Sequence, residues 1–167
     1  MTRKKINRPI AAQGAASATT ASETLAPYLL IITLAIAVYW NTAAHGFVYD
    51  DVEGILNNPL IARFSRLSDA SQLLSEPWRP VTQLSYAFTI YFAGANARPF
   101  HVTNILIHAI NSLLVFGIAR RVAKRWISEE KSKAFALAAA LIHAVHPLYS
   151  QAVSYIWGRS SSLCALF

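Results

Sequence analysis

Leu25–Ala44 is a run of about twenty residues without a charge, enough helix to cross a ~30 Å hydrocarbon core at ~1.5 Å per residue. A segment this apolar must be buried in a protein core or in lipid. The rest of the chain favours lipid: 54% of its 167 residues are hydrophobic, 14% are charged, and the apolar residues come in long runs rather than at amphipathic spacing. The sequence therefore reads as an all-α integral membrane chain with 25–44 as its first transmembrane helix. A cleaved signal peptide is the competing reading, because Thr42 and Ala44 are small residues at suitable spacing. Against it, the basic residues Arg3, Lys4, Lys5 and Arg8 lie some twenty residues from the apolar part. Residues 1–24, polar and aperiodic, read as a disordered basic tail on the cytoplasmic side.

The net charge of +7 raises nucleic acid as a partner. However, ten of the fifteen Lys and Arg fall in two short segments that flank apolar runs, the membrane pattern, and nucleic-acid binding is set aside. The single cysteine, Cys164, excludes an internal disulfide and a cysteine-based zinc site.

Topology turns on residues 81–93. About thirteen residues are too few to span as a helix, and Val81, Leu84, Phe88, Tyr91 and Phe92 share one face, so the segment reads as an interfacial helix. Were it to span, the basic segment 120–133 with Arg120, Arg121, Lys124, Arg125, Lys131 and Lys133 would fall on the side opposite the basic amino terminus. With 81–93 on the surface, both basic segments are cytoplasmic. Residues 45–98 are then one extracytoplasmic loop, 99–119 the second span, 134–149 the third and 150–161 an outer segment. Residues 162–167 read as the opening of a fourth span, so the chain is expected to be the amino-terminal piece of a longer protein.

Several polar residues sit where lipid penalises them. His101, Asn104, His108 and Asn111 recur at i, i+3, i+7 and i+10, one stripe along the second span. Such a stripe serves either helix-to-helix hydrogen bonding or the lining of a cavity for a lipid phosphate. His143 and His146, also i and i+3, can ligate a metal, although Pro147 beside them also marks a helix end.

In the outer loop, Asp50 and Asp51 are adjacent carboxylates about six residues beyond the first span, at the water interface. They are either a solvated turn or a functional pair: like charges side by side push one pKa upward, which suits a general base, and a carboxylate pair can hold a divalent cation. Arg79, between Trp78 and Pro80, is either a surface arginine or a fork for phosphate oxygens.

These pieces follow in a recognisable order: His45-Gly46-Phe47-Val48-Tyr49-Asp50-Asp51, Asn58-Pro59-Leu60-Ile61, Trp78-Arg79-Pro80-Val81-Thr82, Phe100-His101-Val102-Thr103-Asn104 with Ile105-Leu106-Ile107-His108-Ala109, His143-Ala144-Val145-His146-Pro147-Leu148, and Gln151-Ala152-Val153-Ser154-Tyr155 with Ile156-Trp157-Gly158-Arg159. From about residue 40 onward the chain resembles the amino-terminal membrane region of the transmembrane and tetratricopeptide-repeat-containing proteins, a branch of the GT-C membrane glycosyltransferases.

The resemblance implies a GT-C-like multi-pass enzyme that transfers a sugar from a polyprenyl or dolichyl phosphate to a hydroxyl acceptor, often a protein Ser or Thr, on the extracytoplasmic side. The membrane would be the bacterial inner membrane, or the endoplasmic reticulum in a eukaryote. It implies Asp50 and Asp51 as the catalytic acidic pair, and Arg79, Arg159 and His108 as candidates to meet the lipid phosphate. Some relatives use a divalent metal. Relatives commonly carry Thr-Glu where this chain has Ser150 and Gln151, and the tetratricopeptide repeats and later spans are absent, so this piece alone is expected to be inactive. A non-catalytic membrane module would keep the spans and tolerate loss of Asp50. A transport pathway would depend on His108 instead.

Overall fold

A computed structural model describes residues 10–62, 64, 69–75 and 79–167, with side chains described from residue 25 onward. Every regular element among the described residues is helical. Helix α1 (Ile10–Tyr39) ends in a 3-10 turn at Trp40–Ala44, and a π-turn at Val52–Leu56 leads into short helices α2 (Pro59–Ala62) and α3 (Ala70–Ser75). Then come α4 (Pro80–Ala93), α5 (Ala97–Ala123), α6 (Glu129–Val145), α7 (Ser150–Val153) and α8 (Arg159–Cys164). Among the described residues, two segments are long and apolar enough to cross a membrane: Leu25–Ala44 and Ala97–Ala123.

The helix boundaries have local causes. Asn96 caps α5 by accepting the Arg98 N–H at 3.0 Å, and Arg120 and Arg121 in its last turn complement the helix dipole. Pro80 opens α4, and Gly94, at φ 68°, closes it in a conformation that costs a glycine little.

α1, α5 and α6 form a bundle. Ile31 clusters with Phe116, Ala35 with Ala109, and Tyr39 with Ile105, so α5 runs antiparallel to α1. Ala136 and Ala140 join the Ile31 layer and Ala144 the Ala35 layer, so α6 runs parallel to α1. Alanines every four residues let the α6 backbone approach closely. Both the loop that follows α1 and the segment that follows α6 therefore emerge at one end of the bundle, and the basic α5–α6 hairpin lies at the other.

The bundle buries polar side chains among its apolar layers and exposes apolar ones. On α5, His101, Asn104, His108, Asn111 and Ser112 are buried, whereas Leu106, Ile110, Leu114, Ile118 and Val122, each four residues on, are exposed. Water would favour the reverse arrangement; lipid favours this one.

Three sequence expectations change. The backbone of residues 10–24 is helical, an extension of α1 where a disordered tail is expected; residues 1–9 lie outside the described set. The helix expected to span 134–149 stops at Val145, because Pro147 lacks an N–H and blocks further helix, and Pro147–Tyr149 forms a separate 3-10 turn. At 17 residues with Glu129 and Glu130 in its first turn, α6 is not among the helices long and apolar enough to cross. The single apolar face expected on 81–93 is divided: Leu84 and Phe88 pack into a cluster with Phe64, while Val81, Tyr91 and Phe92 stay exposed. The other side of α4, with Tyr86 and Ala87, is buried against the end of the bundle.

Candidate functional site

Asp50 and Asp51, equivalent in sequence, differ in the fold. Asp51 is fully buried and both its oxygens are held: the Trp157 N–H donates to Oδ1 at 2.8 Å and the Val48 N–H to Oδ2 at 3.0 Å. Burial raises the Asp51 carboxyl above its ordinary range, the two backbone donors pull it partly back, and Asp50 pushes it up further. Asp50 is exposed and accepts one hydrogen bond, from the Tyr155 hydroxyl to Oδ2 at 2.8 Å. One carboxylate thus ties the loop down while its neighbour faces solvent.

Two further features fix the loop. Gly54 lies flat against Trp157; a β-carbon there would stand 2.1 Å from the indole ring, so no other residue fits without moving it. Tyr49, at φ 47°, is one of two non-glycine residues with positive φ among those described; the other is Arg79, at φ 55°. Such backbone costs on the order of 1 kcal/mol or more and persists where surrounding contacts enforce it.

Arg79 precedes α4 and borders two hollows. One, of about 260 Å³, is shared with Gln83, Tyr86 and Trp157; the other, of about 500 Å³, runs past Val81 and Ser160 to Phe167. Trp157, whose N–H holds Asp51, is thus a wall of the hollow that Arg79 borders. Trp78, expected to steady Arg79, lies outside the described residues.

Arg159 and His108 stand elsewhere. Arg159 is fully buried, its guanidinium spread over Asn104 Oδ1 (2.7 Å), the Phe100 carbonyl (3.1 Å), Ser85 Oγ (3.2 Å) and Thr89 Oγ1 (3.3 Å), with its carbon 4.6 Å above the Tyr86 ring. Burial lowers it to about 10, so it stays charged at neutral pH. A fork committed to four internal acceptors is not open to a lipid phosphate. His108 is buried between helices, its Nε2 3.2 Å from the Ala144 carbonyl and its ring stacked 5.0 Å from that of His143.

Three of the four stripe residues, Asn104, His108 and Asn111, meet backbone carbonyls, while both ring nitrogens of buried His101 have no hydrogen-bond partner among the described residues. Asn104 Nδ2 donates to the carbonyls of Val153 and Tyr155 at 3.3 Å and of Ile156 at 3.5 Å, and Asn111 Nδ2 donates to that of Ser162 at 2.8 Å. The first three carbonyls belong to the broken stretch after α6, and that of Ser162 to the last turn of α8. Tyr86 adds a bond from its hydroxyl to the Ile156 carbonyl at 3.0 Å, and burial pushes that phenol upward.

No three His, Cys, Asp or Glu among the described residues come together as a metal-ligand set. Both Asp51 oxygens face N–H donors, and His143 and His146 turn to Ser112 and the Leu148 N–H.

Sequence reasoning did not single out Tyr155, Trp157 or Gly54, which orient the acid pair. Their signal lies in Tyr155-Ile156-Trp157-Gly158-Arg159, whose aromatics are too many for one short turn to bury by itself.

Among the described residues the chain is all-helical, with two helices of membrane-crossing length and a solvent-facing carboxylate at one end of the bundle. Its relatives narrow this description. It is 29% identical over 149 residues to protein O-mannosyl-transferase TMTC3 of Mus musculus, with 83% of this chain and 15% of that protein covered. It is 30% identical over 167 residues to protein O-mannosyl-transferase TMTC4 of Homo sapiens, with 87% of this chain and 22% of that protein covered. Protein O-mannosyl-transferase Tmtc1 of Drosophila melanogaster is 30% identical over 164 residues, with 90% of this chain and 18% of that protein covered. No family profile matches the chain, and no solved structure is similar to it. The chain belongs to the transmembrane and tetratricopeptide-repeat-containing branch of the GT-C proteins, and it spans less than a quarter of the length of these relatives.

Proposed function

We propose that this chain supplies the acid-bearing end of a multi-pass membrane glycosyltransferase that moves a sugar, mannose by the names of its relatives, from a polyprenyl or dolichyl phosphate to a hydroxyl acceptor, often a protein Ser or Thr. In this reading α1 and α5 cross the bilayer with the amino terminus and the α5–α6 hairpin in the cytoplasm, and the acid pair faces the extracytoplasmic side. Asp50 is the general base. It takes the acceptor's hydroxyl proton as that oxygen bonds to the anomeric carbon; the bond from that carbon to the lipid phosphate breaks, the phosphate leaves with the electron pair, and the configuration inverts. Asp51 is the positioning residue: its two N–H donors lock the loop that presents Asp50. Arg79 is the cation for the departing phosphate. The arrangement of a buried, doubly anchored Asp51 beside an exposed Asp50 carries this reading, because it gives one carboxylate access and leaves the other to hold it in place.

The test is sugar transfer from the lipid phosphate by membranes carrying the full open reading frame. Asp50→Asn should lower the rate by about 10²–10⁴-fold without loss of folded protein, since the residue is exposed. Retention of transfer by Asp50→Asn would reduce the chain to a non-catalytic module. Sensitivity at His108 with indifference at Arg79 would point to transport instead.

A further inference from the structure

At the end of the bundle remote from the acid pair, α1 and α5 leave a groove of about 270 Å³. Tyr28 and Phe116, edge to face with ring centroids 5.3 Å apart, form its apolar wall, and Gly117 opens the α5 side, where an added β-carbon would meet nothing within 4 Å. Arg120, Arg121 and Lys124 stand at its mouth. The hairpin 120–133 carries six cations against two carboxylates, Glu129 and Glu130, so the charge there is strongly positive even though Glu129 pairs with Arg120 and with Lys124. Leu113 completes the apolar lining behind these cations.

We propose that this groove is a binding site for one anionic phospholipid, with its phosphate at Arg121 and Lys124 and an acyl chain lying over Gly117 against Phe116. Charge complementarity selects an anionic headgroup. The apolar lining selects a lipid over a soluble anion: Tyr28, Leu113 and Phe116 offer an acyl chain a wall beside the cations. The gap at Gly117 gives a chain room to lie against the helix. The site rests on α1 and α5 crossing the bilayer and is independent of the chemistry at Asp50.

The experiment places the full protein in phosphatidylcholine nanodiscs with graded phosphatidylglycerol and counts retained lipids by native mass spectrometry. One phosphatidylglycerol should be held in preference to phosphatidylcholine. Gly117→Leu, whose β-carbon meets nothing within 4 Å and which leaves every charge in place, should weaken its apparent Kd by about tenfold. Arg121→Gln with Lys124→Gln should weaken it by about thirtyfold, whereas Arg125→Gln with Lys131→Gln, an equal loss of charge outside the groove, should change it little. Equal losses from the two charge pairs, or full retention by Gly117→Leu, would show diffuse surface charge and overturn the site. Displacement of the lipid by inorganic phosphate alone would make it a soluble-anion site and also overturn the proposal. Helical content by circular dichroism confirms that each variant folds, and the charge pairs keep the test decisive should Gly117→Leu fail to.

Discussion

The two ends of the bundle are built by opposite means. At the hairpin end, α5 runs unbroken to Ala123 and α6 starts at Glu129, so the backbone is satisfied within helices and the side chains that matter are outward-facing cations. At the acid end, the chain between Val145 and Arg159 passes through two 3-10 turns and one four-residue helix, and its carbonyls depend on other elements. Asn104 and Tyr86 meet those of Val153, Tyr155 and Ile156. Asn104 and Tyr86 are buried polar groups that serve irregular backbone, since an unpaired carbonyl away from water costs more than the side chain that satisfies it.

If that contrast is right, the acid end should fail first and most severely at Arg159. Arg159→Met leaves Asn104, the Phe100 carbonyl and two hydroxyls without their donor and should destabilise the acid end by about 3 kcal/mol, read as loss of thermal stability in detergent. Arg159→Lys should not rescue it, because an ammonium cannot spread over the same four acceptors. A variant as stable as the parent would mean that the irregular segment holds itself together.

Gly54→Ala comes next. Its methyl would overlap the Trp157 ring, which must move and drag the N–H that holds Asp51; the expected cost is about 1–3 kcal/mol, with a shift in tryptophan emission. An unchanged spectrum would show that the indole is not what fixes the acid loop.

A smaller effect is expected from protons. The folded state holds the Asp51 carboxyl above its unfolded value, so it binds the proton more tightly than the unfolded chain does. The stabilisation from that proton is complete below the unfolded value of 3.8 and disappears as pH rises through the raised folded value. Stability should therefore fall with rising pH across that interval, and Asp51→Asn should flatten the dependence; an identical slope in the variant would assign it to another group. Ser85→Ala, which removes one 3.2 Å bond from Arg159, should cost under about 1 kcal/mol in the same thermal assay, and a loss as large as that of Arg159→Met would mean that the hydroxyl, not the guanidinium, joins α4 to α5.

Much of this was legible beforehand. The length of 25–44 and the charge pattern around it place a helix with no need of partners, and the spacing of His101, Asn104, His108 and Asn111 defines one face whatever that face meets. What it meets was not legible, because the carbonyls of Val153, Tyr155 and Ile156 become acceptors only once Pro147 ends α6 and the chain folds back on α5. For the same reason Arg159, a plausible phosphate ligand in the sequence, is an internal brace in the structure.

Sequence alone determined the two long apolar helices, the placement of charge at their ends and the family, since apolar run length and charge placement act locally and add along the chain. Only tertiary structure separated Asp50 from Asp51 and Arg79 from Arg159. The members of each pair are chemically identical, and burial together with hydrogen-bond partners distant in sequence gives them different work.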